Sequence, residues 1–184
     1  MEERFRERIL LRGDFVGKGL VVMEPHVSKS ELLHRLANAK ARLDALLALI
    51  RPEQRIKPEL VGGWSVKDML AHFIAHEQRA LEELRAALRG EQPDSLPADN
   101  DSFNLGAVLA SRSQSYEQIK AAWDRSFAEI VEAVRALSEA DFDPWSQVVR
   151  LLDDSIDGAL ANNSYEHYTE HLPQLAAIVA DLGC

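Results

Sequence analysis

Apolar residues recur at three- and four-residue steps through most of the chain, which is the period of an α-helix with one buried face. From Ser28 to Ile50 the stripe is Leu32, Leu36, Leu43, Leu46, Leu47 and Ile50. Ser28 followed by Glu31 reads as the start of that helix, and Pro52 and Pro58 end the pattern. Gly62-Gly63-Trp64 is a turn, and Ser65 with Asp68 opens a second helix running to about Arg89. Its face is Val66, Met69, Leu70, Phe73, Leu81, Leu84 and Leu88, and Gly90 is a natural stop. Residues 91–103, with two prolines and three aspartates, read as a solvated loop.

A third helical region covers about Phe103 to Leu137, with a break expected near Ser113 and a new cap at Ser115 and Gln118. Ser138 to Leu152 reads as a long connection containing one helical turn. A last helix is expected from Asp154 or Ser155 to about Leu182, with Ile156, Leu160, Leu175, Ile178 and Leu182 on its apolar side. Pro173 lies within it and predicts a kink, because the carbonyl of Thr169 loses its helical donor. Four such helices bury their stripes best as an all-α bundle. The stripes are too wide and irregular for a long coiled coil. Residues 1–27 show no clean period and are expected to form an arm or extension; 28–184 form the bundle domain.

Composition narrows the partners. The 184 residues carry 46% apolar and 28% charged side chains, with 21 Lys and Arg against 30 Asp and Glu, a formal charge of −9. Duplex binding draws on phosphate neutralisation, so this balance predicts no nucleic-acid partner. The one cysteine, Cys184, allows neither a disulfide nor a thiolate metal cluster within the chain. The charged first residues exclude a signal peptide, and no apolar run reaches the length of a membrane span. A cytoplasmic protein with no membrane partner is the expectation.

Candidate chemistry lies in the six histidines. His26 and His34 have no partner nearby in sequence. His167 and His171 stand four apart, about 6 Å along a helix and about 40° around it, so both rings leave one face. That face also carries Leu160, Ser164, Leu175 and Ile178, so the pair points into the bundle. Two buried imidazoles need partners: either a hydrogen-bonded network or a divalent metal, for which neutral imidazole is the commonest ligand. His72 and His76 repeat the spacing on the second helix. Three nitrogens from two helices leave positions open for water or substrate; a fourth would close the site.

Glu77 falls at the centre of the second helix's apolar face, where an isolated carboxylate is expensive. It could orient a ligating histidine, act as general base, or reach an arginine or solvent by a slight helix rotation. Trp64, Trp123 and Tyr168 are core residues or walls of an apolar pocket.

The stretches SKSELLHRLANAKARLDALLALI (28–50), VGGWSVKDMLAHFIAHEQRALEEL (61–84), DSFN (101–104) and NNSYEHYTEHLPQL (162–175) resemble the DinB-like, or YfiT-like, four-helix proteins, and among them the ClbS/DfsB family. The resemblance covers residues 28–182. It implies an up-down-down-up bundle with a divalent metal, zinc or nickel, on one histidine of helix 2 and an HxxxH pair of helix 4. Carried onto this chain, the ligands would be His72, His167 and His171. Glu77 would be the nearest group for proton transfer, and Asp101 and Asn104 would line the opening. His76 departs from the pattern, since many relatives carry tryptophan or another residue there. Some relatives are thiol-dependent transferases or isomerases, so a low-molecular-weight thiol is a candidate cofactor. The ClbS-like branch is linked to self-resistance against a reactive DNA-damaging product without clear dependence on metal. Three functions therefore stand open: a metal-dependent hydrolase or transferase acting on a small electrophilic molecule, a metal-free binding or self-resistance protein, and a structural bundle, any of which could pair as a homodimer.

Overall fold

Each long helix begins where the sequence supplies a side-chain cap. The computed structural model describes residues 27–94 and 99–180; the readings placed on residues 1–26, among them His26, and on the last four residues lie outside these. Ser28 Oγ accepts from the Glu31 N–H at 3.2 Å and opens α1, Lys29–Leu49. Ser65 and Asp68 exchange reciprocal cap bonds at the start of α2, Val66–Leu88. Ser115 and Gln118 do the same for α4, Tyr116–Ala136. Such caps satisfy amide donors that the first helical turn leaves unpaired.

The chain packs as an all-α helix bundle, and the described residues contain no strand. α2 lies mainly against α4, and α1 against α7, Tyr165–Ala180. The core takes Leu32, Leu36 and Leu43 from α1, Met69, Phe73 and Leu81 from α2, Trp123 and Ile130 from α4, and Leu175 from α7. No helix among the described residues is long and apolar enough to cross a membrane.

The expected third region is two helices: α3, Asn100–Ala110, precedes α4, and the turn between them spans the expected break. The expected solvated loop is therefore cut short by α3, which Asp99 caps. The connection before the last helix holds a 3₁₀ turn, Glu139–Phe142, and α5, Gln147–Leu152.

The last helix differs most from expectation. It is divided into α6, Ile156–Ala161, and α7, with a turn at residues 162–164. There the polar side chains bond back to the preceding turn. Asn162 Nδ2 donates to the Gly158 carbonyl, Asn163 Nδ2 to Ala159, and Ser164 Oγ to Leu160. Short polar side chains compete for backbone groups in this way and favour helix ends. Pro173 sits inside α7, which stays helical through it.

Candidate metal centre

α2 and α7 bring their histidines together in the buried interior. Relative exposure is 5% for His72, 9% for His76 and 8% for His167. Ligand nitrogens of these three lie within 4.8 Å of one another. Nε2 of His72 and Nε2 of His167 are 2.8 Å apart, so one ring donates to the other. Nδ1 of both rings is buried without a hydrogen-bond partner among the described residues.

His171 stands at the edge of the cluster. It is half-buried, with its ring centre 5.2 Å from that of His167 and 5.6 Å from that of His72. The 4.8 Å set holds His76 in its place. His34 is outside the centre altogether, at an exposed hydrogen bond with Asn38.

Burial sets the protonation of these rings. Desolvation, reinforced by neighbouring His76 and His171, pushes His72 down to about 3. Desolvation and the other imidazoles push His167 down to about 2. Burial also lowers His171. Rings held neutral at physiological pH present lone pairs without first shedding a proton, which is what a divalent ion requires.

The tautomer of His76 follows from its neighbours. Asn163 Nδ2 donates to the Ala159 carbonyl, and its Oδ1 accepts from Arg79 Nη2 at 2.7 Å. The amide orientation is thereby fixed, because arginine only donates. His76 Nδ1 faces that same Oδ1 at 3.2 Å and must carry the proton. Its Nε2 faces Asn104 Oδ1 at 3.0 Å. Phe103 from α3 touches the His76 ring edge-on, and Trp64 touches His72.

These residues fit a divalent ion. Three buried imidazoles converge, and burial holds two of them, His72 and His167, neutral. Nitrogens about 2.0–2.1 Å from a tetrahedral ion stand roughly 3.3 Å apart, so the His72 and His167 rings need give by only a few tenths of an ångström.

Glu77 is fully buried, as its position in the apolar stripe required, but it faces other partners than expected. Its Oε1 accepts from the Trp123 indole N–H at 2.8 Å and from the Tyr168 hydroxyl. Oε2 has no hydrogen-bond partner among the described residues, and no imidazole bonds to either oxygen. Burial pushes the carboxyl up to about 7, against the opposing pull of Ser126, Tyr168, Trp123 and Lys40. Lys40, itself 8% exposed, lies 4.0 Å from the centre of the Trp123 ring and donates to Asp44 and Asp124. The Phe73 ring touches both groups, lying 5.0 Å from Tyr168 and 5.1 Å from His167. Trp123 and Tyr168 thus belong to a polar knot within the core rather than to a pocket wall.

Two polar residues of the site, Asn163 and Arg79, were not foreseen. The Asn-Asn-Ser triplet could have signalled the first, since it marks a helix end. Arg79 stands one turn beyond His76, a spacing visible in the sequence that carries no chemical signature of its own.

The fold and this site define a class. The DinB superfamily profile matches residues 28–152, and the chain belongs to that superfamily. Two solved structures share the fold. An uncharacterised protein of Escherichia coli UTI89 superposes with a TM-score of 0.70 at 18% identity, covering 85% of this chain and 95% of its own. The colibactin self-resistance protein ClbS, in complex with a dsDNA, superposes with a TM-score of 0.69 at 13% identity, covering 84% and 97%. No curated protein matches the sequence.

The ClbS complex corrects one expectation. The net charge of −9 predicts no nucleic-acid partner, yet a protein of this fold is seen with duplex DNA. Net charge sums the whole surface, whereas binding depends on the local distribution of charge. The exclusion does not stand.

Proposed function

We propose that this protein is a divalent-metal-dependent enzyme, a hydrolase or thiol-dependent transferase, acting on a small electrophilic molecule. The observation that supports it is the convergence of three buried imidazoles within 4.8 Å, two of them, His72 and His167, held neutral by burial. His72 and His167 would hold the ion with His76 or His171 as the third donor; zinc or nickel suits an all-imidazole set. Bound there, the ion supplies a Lewis acid beside the substrate. The protein's own contribution is a buried cluster whose desolvation keeps His72 and His167 unprotonated. Glu77 would serve as a proton reservoir, its carboxyl poised near neutrality within the Trp123–Tyr168 knot.

The test is elemental analysis of protein purified without a metal-affinity tag, followed by zinc titration of single alanine variants. About one equivalent of ion is expected in the parent protein, with loss of binding in His72→Ala and His167→Ala. Comparing His76→Ala with His171→Ala identifies the third donor. Retention of a full equivalent in both of the first two variants would sink the assignment.

One observation favours a metal-free reading of the ClbS kind. His72 and His167 already satisfy one another across 2.8 Å. Under that reading the parent protein takes up no divalent ion, and binding of a reactive metabolite or of duplex DNA persists after chelation.

A further inference from the structure

His171 is tied to Gln174, one turn further along α7. Gln174 Nε2 lies 3.3 Å from His171 Nδ1, and Gln174 Oε1 accepts from the Val61 backbone N–H at 3.4 Å. A backbone N–H only donates, so it must face the amide oxygen, and the amide nitrogen is then turned to the ring. That nitrogen also only donates, so His171 Nδ1 must accept. Burial lowers His171, and a neutral ring that accepts at Nδ1 carries its proton on Nε2.

The turn that presents Val61 is itself held. Leu60 N–H donates to the Trp64 carbonyl at 2.9 Å, and Gly63 N–H donates to the Leu60 carbonyl at 3.0 Å. Gly62 and Gly63 take φ of 79° and 76°, a region that side-chain-bearing residues rarely adopt. Trp64, at the end of the same turn, lies edge-on to His72 with ring centres 5.1 Å apart. The turn, Gln174 and the edge of the histidine cluster are thus linked. For His171 to offer a lone pair at Nε2, its proton must move to Nδ1, against the hydrogens of the Gln174 amide. Turning the amide over would set those hydrogens against Val61 N–H instead. Either way a hydrogen bond is lost and two donors meet. The positions of the rings agree, since the set within 4.8 Å is His72, His76 and His167.

We propose that Gln174 is a positioning residue that holds His171 as the Nε2–H tautomer, making it a hydrogen-bond donor at the edge of the cluster rather than a metal ligand. The third nitrogen for the ion is then that of His76. This sets the chain apart from the ligand set that the family resemblance implies, in which His171 is the third ligand. The proposal rests on the metal reading of the cluster.

Long-range proton–nitrogen NMR correlations separate the two imidazole tautomers. They are recorded on the chelated full chain at about pH 8, where unpaired imidazoles are neutral, with His171→Ala assigning the resonance. An Nε2–H pattern is expected for His171 in the parent. In Gln174→Glu the carboxylate accepts from Nδ1 and leaves Nε2 open, so the pattern should reverse. Gln174→Leu, which neither donates nor accepts, should show both tautomers and serves if the glutamate variant does not fold. In zinc titrations of the parent, His76→Ala should weaken binding by about tenfold or more and His171→Ala by less than about threefold. In the Gln174→Glu background His171→Ala should also cost about tenfold. An Nδ1–H ring at His171 in the parent, or an Nε2–H pattern that survives in both variants of Gln174, would overturn the proposal. Zinc held through His171 in the parent breaks this inference and leaves the metal reading standing. A tautomer that follows residue 174 in a protein that takes up no zinc upholds the role of Gln174 and breaks the metal reading alone.

Discussion

Replacing Glu77 by glutamine should change the pH dependence of stability in a defined direction. The carboxyl stands at about 7 in the fold against an ordinary value of 4.5. A raised folded value means that the protonated form is favoured inside. Its contribution is fully present below pH 4.5 and is lost as pH rises to 7, because the unfolded chain gains ionisation that the fold denies. Each unit of that interval costs about 1.4 kcal/mol, so the loss across it is about 3 kcal/mol. A glutamine at this position has nothing to ionise, and its carbonyl oxygen can still accept from Trp123 and Tyr168. The difference between the two proteins should therefore move by about 3 kcal/mol in favour of Glu77→Gln between roughly pH 4.5 and pH 8. The remaining ionisable groups are common to both proteins and cancel. Urea unfolding across this range, on chelated samples, measures it. Parallel stability curves, within about 0.5 kcal/mol, would refute the reasoning and mean that Glu77 ionises as freely in the fold as in water.

Three further outcomes are expected. In the Glu77→Gln background, the chelated protein should lose stability as pH falls below about 6.5, since His72 and His167 have folded values of about 3 and about 2 and the unfolded chain takes up their protons first; the slope approaches about 1.4 kcal/mol per unit for each ring. A flat acid limb down to about pH 5 would show that these rings are not held neutral. Asn163→Ala removes the acceptor shared by Arg79 and His76 and should cost about 2 kcal/mol in chemical denaturation, with Asn163→Asp recovering part of it; equal stability of the alanine variant would argue against the shared bond. Ser65→Ala breaks the capping box of α2 and should lower stability by about 1 kcal/mol, about 2–4 °C in thermal unfolding; an unchanged melting temperature would show that the cap is replaced.

Local pattern was enough to specify the helices. Leu32 to Ile50 and Val66 to Leu84 recur at helical steps, and Ser28, Ser65 and Ser115 mark starts that the structure keeps. The same reasoning carried one stripe from Ile156 to Leu182 and read through the Asn-Asn-Ser turn, because apolar periodicity continues across the break. Side chains bonding back to Gly158, Ala159 and Leu160 outweighed that periodicity locally. The turn then places Asn163 against His76 and Arg79, so the missed break and the missed site residue have one cause.

By itself, then, the sequence turned His167, His171 and Glu77 toward the bundle, because a helical wheel follows from a 100° step that each helix carries within itself, though His171 ends half-buried at the edge. Only the tertiary structure decided which of these groups meet. The relative depth and rotation of α2 against α7 depend on side chains from all the packed helices, and no single periodicity records them. That packing drew His76 into the imidazole cluster and gave Glu77 to Trp123 and Tyr168.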